Sequence, residues 1–310
     1  MSKIKSLVTG GAGFIGSHLV ESLSHLDHEV LVVDNFFTGK VENLIPTQDI
    51  EIIKGDIGED KVLDSVSKFN PNLCFHLAAQ SSVAVSVSDP ALDIEYNLTQ
   101  PKKLIDTLIN TDCKRFLFTS SGGTIYGEPS VFPTSENDYG SEPLSQYGVS
   151  KKELNNYIIS NFEKLNMNYS ILNLANVYGP RQDPHGEAGV VSIFSRRMVK
   201  GESPTVFGSG MQTRDYVFVG DVVTSMLNCI QSDEDHFLNI GSGVEVSVLE
   251  LVEVIGEITK YDKDIVYAPF REGDQMRSVL DSSLAKKQIN WEPKVSLIQG
   301  VNEVIEWVMD

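Results

Sequence analysis

Thr9-Gly10-Gly11-Ala12-Gly13-Phe14-Ile15-Gly16 is the stretch on which the fold turns. Its spaced glycines, Gly10, Gly13 and Gly16, stand between an apolar run at 4–8 and an apolar-periodic run at 14–24. The first glycine allows a tight turn, the second lets backbone approach a pyrophosphate, and the third lets helix and strand pack closely. A helix starting here presents free N–H groups and the positive end of its dipole to phosphates. Three glycines alone are a weak signal, since a glycine-rich turn need hold no ligand. Their place between a strand and a helix, with an acid ending the next strand, makes them a dinucleotide signature. That acid is Asp34, whose carboxylate suits ribose hydroxyls and repels a 2′-phosphate. Only Lys40 is near enough in sequence to offset it, so NAD is expected rather than NADP. Asp56, after the third strand, is either a contact for the adenine amine or a turn former.

Outward from this turn, short apolar runs at 4–8, 29–33, 51–53, 73–76 and 115–119 read as buried strands. Stretches at 14–24, 59–68, 91–110 and 146–162 read as helices, and 169–172 as a further strand. Strand–helix alternation predicts an α/β fold with a doubly wound parallel (Rossmann) sheet. After about residue 176 glycine and proline become frequent, and helices at 191–200 and 248–259 are separated by loops. This part reads as a smaller, discontinuous C-terminal substrate lobe, because 216–222 and 237–240 look like strands that return to the first unit. The expected division is 1–175 plus about 213–245 for the NAD-binding domain, and 176–212 plus about 246–310 for the lobe.

The 310 residues, 41% hydrophobic and 22% charged, suit a globular chain of this design. No run approaches the roughly 18 apolar residues of a membrane helix, and the opening apolar run is too short for a signal peptide. Cys74, Cys113 and Cys229 are far apart and odd in number, which fits neither a disulfide framework nor a metal site and points to the cytoplasm. With no His/Cys/Asp cluster, no metal is expected. A net charge of −18 speaks against nucleic-acid and membrane partners. Of seven arginines, six fall between 181 and 277: Arg181, Arg196, Arg197, Arg214, Arg271 and Arg277. They are either scattered surface residues or the makings of a phosphate site, for which the guanidinium fork is suited.

Tyr147 and Lys151 share one face of the predicted helix at 146–162. A phenol with a reference pKa near 10 is a poor base at neutrality. An adjacent ammonium favours the phenolate, which then takes a proton from a substrate hydroxyl as hydride leaves the same carbon. A lone Tyr-x-x-x-Lys is common by chance. Its value comes from sharing a chain with the nucleotide motif.

Taken together, the motifs resemble the extended short-chain dehydrogenase/reductases, in the NAD-dependent epimerase/dehydratase family, and within it the bacterial and archaeal UDP-glucose 4-epimerase group. The matching pieces are TGGAGFIGSHL at 9–19, VVDN at 32–35, GDI at 55–57, HLAAQ at 76–80, Asn97 and SSGGTIYG at 120–127. They continue through YGVSK at 147–151, NVYGPRQDPHGEAGVV at 176–191, TRDYVFVGDV at 213–222 and REGD at 271–274. The resemblance implies C4 epimerisation of a UDP-hexose through a transient 4-keto sugar that turns about its diphosphate. It implies Tyr147 as acid/base with Lys151 as its partner. It implies NAD contacts from Gly10, Gly13, Phe14, Ile15, Gly16, Asp34, Asn35, Asp56, Ile57, Leu77, Ala78, Ala79, Gln80 and Asn97, as well as Tyr147 and Lys151. For the sugar nucleotide it implies Asn176, Val190, Val191, Arg214 and Arg271 around the diphosphate, with Asp274 at the uridine ribose. Ser278 falls at the family's gate position, where a small residue leaves room for an N-acetyl group. UDP-glucose and UDP-N-acetylglucosamine are therefore both expected substrates.

The chain also departs from the pattern. Gly122 stands four residues before the tyrosine of the YG pair, where Ser or Thr is usual. Ser121 or Thr124 is then left to supply the hydroxyl, Ser121 ranked first. Gln100-Pro101 replaces the usual Gly-Thr after Asn97, and Asn173 the usual Arg. A UDP-glucuronate 4-epimerase needs the same Tyr and Lys and stays open. A decarboxylase usually has Glu at the Thr124 position. A non-catalytic NAD-binding regulator is the reading from another class. His185 and Glu187 are read as substrate-loop or solvated-turn residues rather than catalytic ones. The family also implies a homodimer through 91–110 and 146–162, and Tyr157, Ile158, Ile159 and Phe162 give the second helix apolar surface beyond what one sheet face needs.

Overall fold

A computed structural model describes residues 3–45, 47–165, 167–183, 189–270 and 275–310. The strands are β1 (Lys5–Thr9), β2 (Glu29–Asp34), β3 (Ile50–Lys54), β4 (Leu73–His76), β5 (Arg115–Ser121), β6 (Asn168–Leu174), β7 (Asn176–Tyr178), β8 (Thr205–Phe207), β9 (Thr213–Phe218), β10 (His236–Ile240), β11 (Glu245–Ser247) and β12 (Val266–Ala268). The α-helices are α1 (Phe14–His25), α2 (Asp60–Phe69), α3 (Val83–Ser88), α4 (Pro90–Ile94), α5 (Gln100–Leu108), α6 (Gln146–Leu165), α7 (Val190–Val199), α8 (Val219–Cys229), α9 (Val248–Thr259), α10 (Ser283–Ile289) and α11 (Leu297–Met309).

Seven parallel strands form the central sheet in the order β10-β6-β5-β4-β1-β2-β3. Alternate residues along each strand face opposite sides. Val8, Val32, Phe75, Leu117 and Leu172 join α1 and α8 in one core. Leu7, Leu31, Cys74, Phe116 and Ile171 join α2, α5 and α6 in the other. Burial on both faces explains why these strands read as continuous apolar runs. The strand order reverses between β1 and β4, and in such sheets the crevice beyond the carboxyl ends at the reversal is where ligands bind.

A third core joins α7, α9 and α11 to the small sheet β11-β9-β7. Here the structure departs from the sequence reading. Residues 237–240 return to the central sheet within β10, but 216–222 do not. The strand β9 ends at Phe218 in the small sheet, and Val219 begins α8, which packs on α1. The segment 91–110 is also not one α-helix. It runs as α4, a π-helical turn Glu95–Thr99, and α5. Pro101 explains the break, since it has no N–H for the carbonyl of Asn97 and its ring crowds that carbonyl. Helices α10 and α11 were not anticipated, although Ser296 and Gln299 form a capping box at the start of α11.

Candidate functional site

Gly10 adopts φ +69°, and a Cβ there would come within 2.8 Å of the Ala78 nitrogen. A Cβ on Gly16 would lie 2.1 Å from the Gly10 carbonyl oxygen. The turn is therefore wedged between β4 and α1 with no room for side chains. No side chain caps α1 at Gly13, so its first-turn N–H groups face the crevice. This cradle, with half-buried Phe14 and Ile15 following it, fits a dinucleotide diphosphate.

Asp34 is buried at the end of β2 and already accepts hydrogen bonds from the Ala12 N–H (2.9 Å) and the Phe36 N–H (2.8 Å). These bonds set its carboxylate at the mouth of the glycine turn, and each oxygen keeps a lone pair for a ribose hydroxyl. The Asn35 amide donates to Asp56 Oδ1 at 2.7 Å. The Asp56 side chain is thereby tied to the β2 loop, while its backbone opens the turn to Glu59 that leads into α2. Ile57 is buried beside it, while Leu77, Ala78 and Gln80 are half-buried and Ala79 is exposed beyond β4. Asn97 is buried in the π-helical turn. It donates to the Gln80 carbonyl (2.8 Å) and accepts from the Gln80 N–H (3.1 Å), fixing that loop. Gln100, the departure after Asn97, lies over Gly58, where a Cβ would meet its Cγ at 2.6 Å.

Tyr147 and Lys151 sit on α6 where it crosses the end of β5. The buried Lys151 ammonium donates to the Thr119 carbonyl at 3.1 Å and lies 5.7 Å from the Tyr147 ring centroid. The Ser121 side chain is the polar neighbour that favours the ionised Tyr147 phenol. Thr124 instead turns its hydroxyl to the Ser121 carbonyl at 3.4 Å. Gly122 has no room for a hydroxyl-bearing side chain, since its Cβ would meet Leu280 Cδ1 at 2.4 Å. The electrostatics differ from the simple sequence argument. Burial pushes Tyr147 up to about 12, opposed by the neighbouring Ser121 side chain, and pushes Lys151 down to about 7. Desolvation is the largest cause of both shifts.

Asn176 opens β7 half-buried. Val190 and Val191 form the first turn of α7, Val191 inside the lobe core. Arg214 on β9 donates to the Gln275 carbonyl at 2.7 Å, and the Gln275 amide donates to the Gly127 carbonyl at 2.8 Å. Arg214 is thereby joined to the loop that follows Ser121. Ser278 is nearly buried in a pocket shared with Gly122, Gly123 and Leu280. Arg271, Asp274, His185 and Glu187 lie outside the described residues. The clustering of arginines is largely structural. Arg181 pairs with Glu21 (2.7 Å), Arg277 with Glu245 (2.8 Å), and Arg197 with Ser203 and Thr205. Sequence reasoning missed Asp93 and Gln275, neither of which belongs to a motif. Among the described residues no cluster could hold a metal, and no helix is long and apolar enough to cross a membrane.

A dinucleotide cradle at the sheet's reversal, a Ser–Tyr–Lys group above it and an arginine-bearing lobe define an NAD-dependent enzyme of the short-chain dehydrogenase/reductase type. The family model for the NAD dependent epimerase/dehydratase family matches residues 6–241, and the chain belongs to that family. A putative UDP-glucose 4-epimerase of Methanocaldococcus jannaschii is 40% identical over 303 residues, 97% of each chain. The crystal structure of the Thermotoga maritima UDP-glucose 4-epimerase with UDP-glucose is 43% identical, covers 99% of both chains and superposes with a TM-score of 0.95. The Thermus thermophilus UDP-glucose 4-epimerase complexed with NAD is 36% identical over 99% of both chains, with a TM-score of 0.92.

Proposed function

We propose that this chain inverts C4 of UDP-hexoses, interconverting UDP-glucose with UDP-galactose and UDP-N-acetylglucosamine with UDP-N-acetylgalactosamine, and that it acts in the cytoplasm as a homodimer. The observation that carries the reading is the buried Lys151 ammonium held on the Thr119 carbonyl beside the Tyr147 ring, on the helix that crosses the end of β5. The glycine turn and the α1 N-terminus hold the diphosphate of NAD, Asp34 its adenosine ribose, and Asn35, Asp56 and Ile57 flank the adenine. Bound NAD supplies a reversible hydride acceptor for C4 and a positive charge in the cleft. Added positive charge favours the Tyr147 phenolate that burial alone opposes. Tyr147 takes the O4 proton and later returns it, Ser121 orients that hydroxyl, and Lys151 holds the nicotinamide ribose.

The lobe anchors the nucleotide while the sugar turns: Asn176, the α7 start at Val190 and Val191, Arg214 and Arg271 hold the diphosphate, and Asp274 the uridine ribose. In this reading β9 belongs with the lobe's small sheet, and α10 belongs with the cofactor unit, packing on β10 and α8. For the dimer, Ile158 and Phe162 are spent in the core, which leaves Val149 and Ile159 of α6 and Leu92 and Ile94 of α4 as exposed apolar contacts. Light scattering on the whole chain checks this, and a monomeric mass overturns it.

The deciding experiment incubates the protein separately with UDP-glucose, UDP-N-acetylglucosamine and UDP-glucuronate and follows the sugar by NMR. The first two give galacto-epimers without added NADH. No epimer from either defeats the reading, and turnover of UDP-glucuronate alone replaces it.

A further inference from the structure

Asp93 lies on α4 with no exposed surface. A carboxylate is almost never sealed from water unless it is paired. Its Oδ1 accepts from the Asn97 amide (2.9 Å) and the Gln80 amide (2.9 Å). Its Oδ2 is buried with no partner among the described residues, and no cation there touches it. Two neutral donors on one oxygen are a thin return for a buried charge.

What faces this carboxylate explains it. Helix α4 packs on α3, on the π-helical turn and on α6. Helix α3, Val-Ala-Val-Ser-Val-Ser, has no titratable side chain. The π-helical turn carries Glu95 and Tyr96, and the Tyr96 hydroxyl is directed to Asp56 at 3.4 Å. Helix α6 brings Tyr147 and Lys151, and both feel the charge of Asp93. Around Lys151 the other neighbours are neutral. They are the Thr119 carbonyl and the Phe118 ring from β5 and the Tyr147 ring on α6. His76 from β4 is also uncharged at neutrality, because burial pushes its pKa down to about 3. Asp93 is thus a carboxylate sealed on the helix that packs against α6, and its charge favours the Lys151 ammonium.

We propose that Asp93 is a positioning residue, the buried counter-charge of the Lys151 ammonium across the α4–α6 interface, which also fixes the cofactor-facing loop through Gln80 and Asn97. Gln80 transmits the second role. Its amide spans Asp93 and the Ser82 carbonyl (2.9 Å), and its Oε1 accepts from the Ser82 N–H (2.6 Å). The carboxylate forms no bond in the reaction. It holds a proton on Lys151, which lies beside the Tyr147 ring. The proposal deepens the epimerase reading for its rate consequence, while its titration consequence is independent of that reading.

The test uses the full chain with NAD bound and its lysines 13C-labelled at Cε. Lys151→Arg identifies the Lys151 resonance. Asp93→Asn keeps an oxygen for the Asn97 and Gln80 amides and removes only the charge. The Lys151 titration midpoint is expected to fall by about one pH unit or more in Asp93→Asn, and Asp93→Glu to restore it at least in part. A one-unit fall leaves about a tenth as much ammonium above the midpoint, so kcat on the alkaline side drops about tenfold while KM stays within about twofold. A Lys151 midpoint unchanged in a folded Asp93→Asn protein overturns the proposal. Should that variant not fold, Asp93→Ser, which also removes the charge, is judged by the same criterion. A Lys151 midpoint that falls when the charge is removed, in a protein whose wild type epimerises no sugar, sinks the enzymatic reading and leaves the counter-charge standing.

Discussion

Ser278 is 9% exposed and faces the turn at Gly122 and Gly123, where a Cβ on Gly123 would lie 3.8 Å from its hydroxyl. Ser278 lines one pocket with the two glycines, Gln275 and Leu280, so a bulky side chain there would intrude on the turn that follows Ser121. Ser278→Tyr is expected to lower kcat/KM for UDP-N-acetylglucosamine by about 100-fold or more while changing that for UDP-glucose less than about threefold. Steric exclusion acts only on the larger sugar, and equal losses on both would remove Ser278 from any gating role. At this scale Tyr147 and Lys151 were legible because their relation is local, one turn of one helix. The choice between Ser121 and Thr124 was not. It depends on which hydroxyl α6 meets as it crosses β5, and Thr124 is taken up by a backbone carbonyl. Asp93 was invisible for the same reason, since its importance comes from the helix packed opposite.

At the scale of elements, the glycine turn is the most constrained piece of backbone. Gly16→Ala places a methyl 2.1 Å from the Gly10 carbonyl, a contact that only backbone movement relieves. The variant is expected to lose about 3 kcal/mol or more of stability and to release NAD at concentrations that saturate the wild type. Thermal melts with and without NAD check both, and an unchanged melt with retained NAD would mean that α1 can shift freely. Strands β1, β2, β4 and β5 were readable because burial on both faces leaves continuous apolar runs, and α1, α2 and α6 because their apolar residues recur at helical spacing. Two errors have physical causes. Pro101 interrupts the predicted helix at 91–110, and the π-helical turn that results is where Asn97 sits. Strand β9 and helix α8 adjoin without a loop at Phe218–Val219, so hydrophobicity alone could not divide them.

At the scale of the molecule, buried groups beneath the site set an acid limit. His76 is buried, with Nδ1 against Thr9 Oγ1 at 2.7 Å and its ring stacked on Phe118. Its pKa falls from 6.5 unfolded to about 3 folded, chiefly through burial and then through the nearby Lys151 charge. Between those values the unfolded chain binds the proton and the folded chain does not. Stability is therefore unaffected above pH 6.5 and falls as pH drops toward 3, by up to about 1.4 kcal/mol per unit from this group. Denaturant midpoints between about pH 4 and 6.5 should fall less steeply in His76→Asn than in the wild type. Parallel slopes would show that other groups govern acid unfolding.

Sequence alone determined the dinucleotide turn, the β/α alternation and the Tyr147–Lys151 pair, because each is written in spacings of a few residues that local geometry translates directly. Tertiary structure decided which arginines were spoken for, which hydroxyl meets the phenol, which sheet receives β9 and what lies beneath the lysine. Those outcomes depend on contacts between distant segments, such as Arg214 with Gln275 or Arg181 with Glu21, and no local period encodes them.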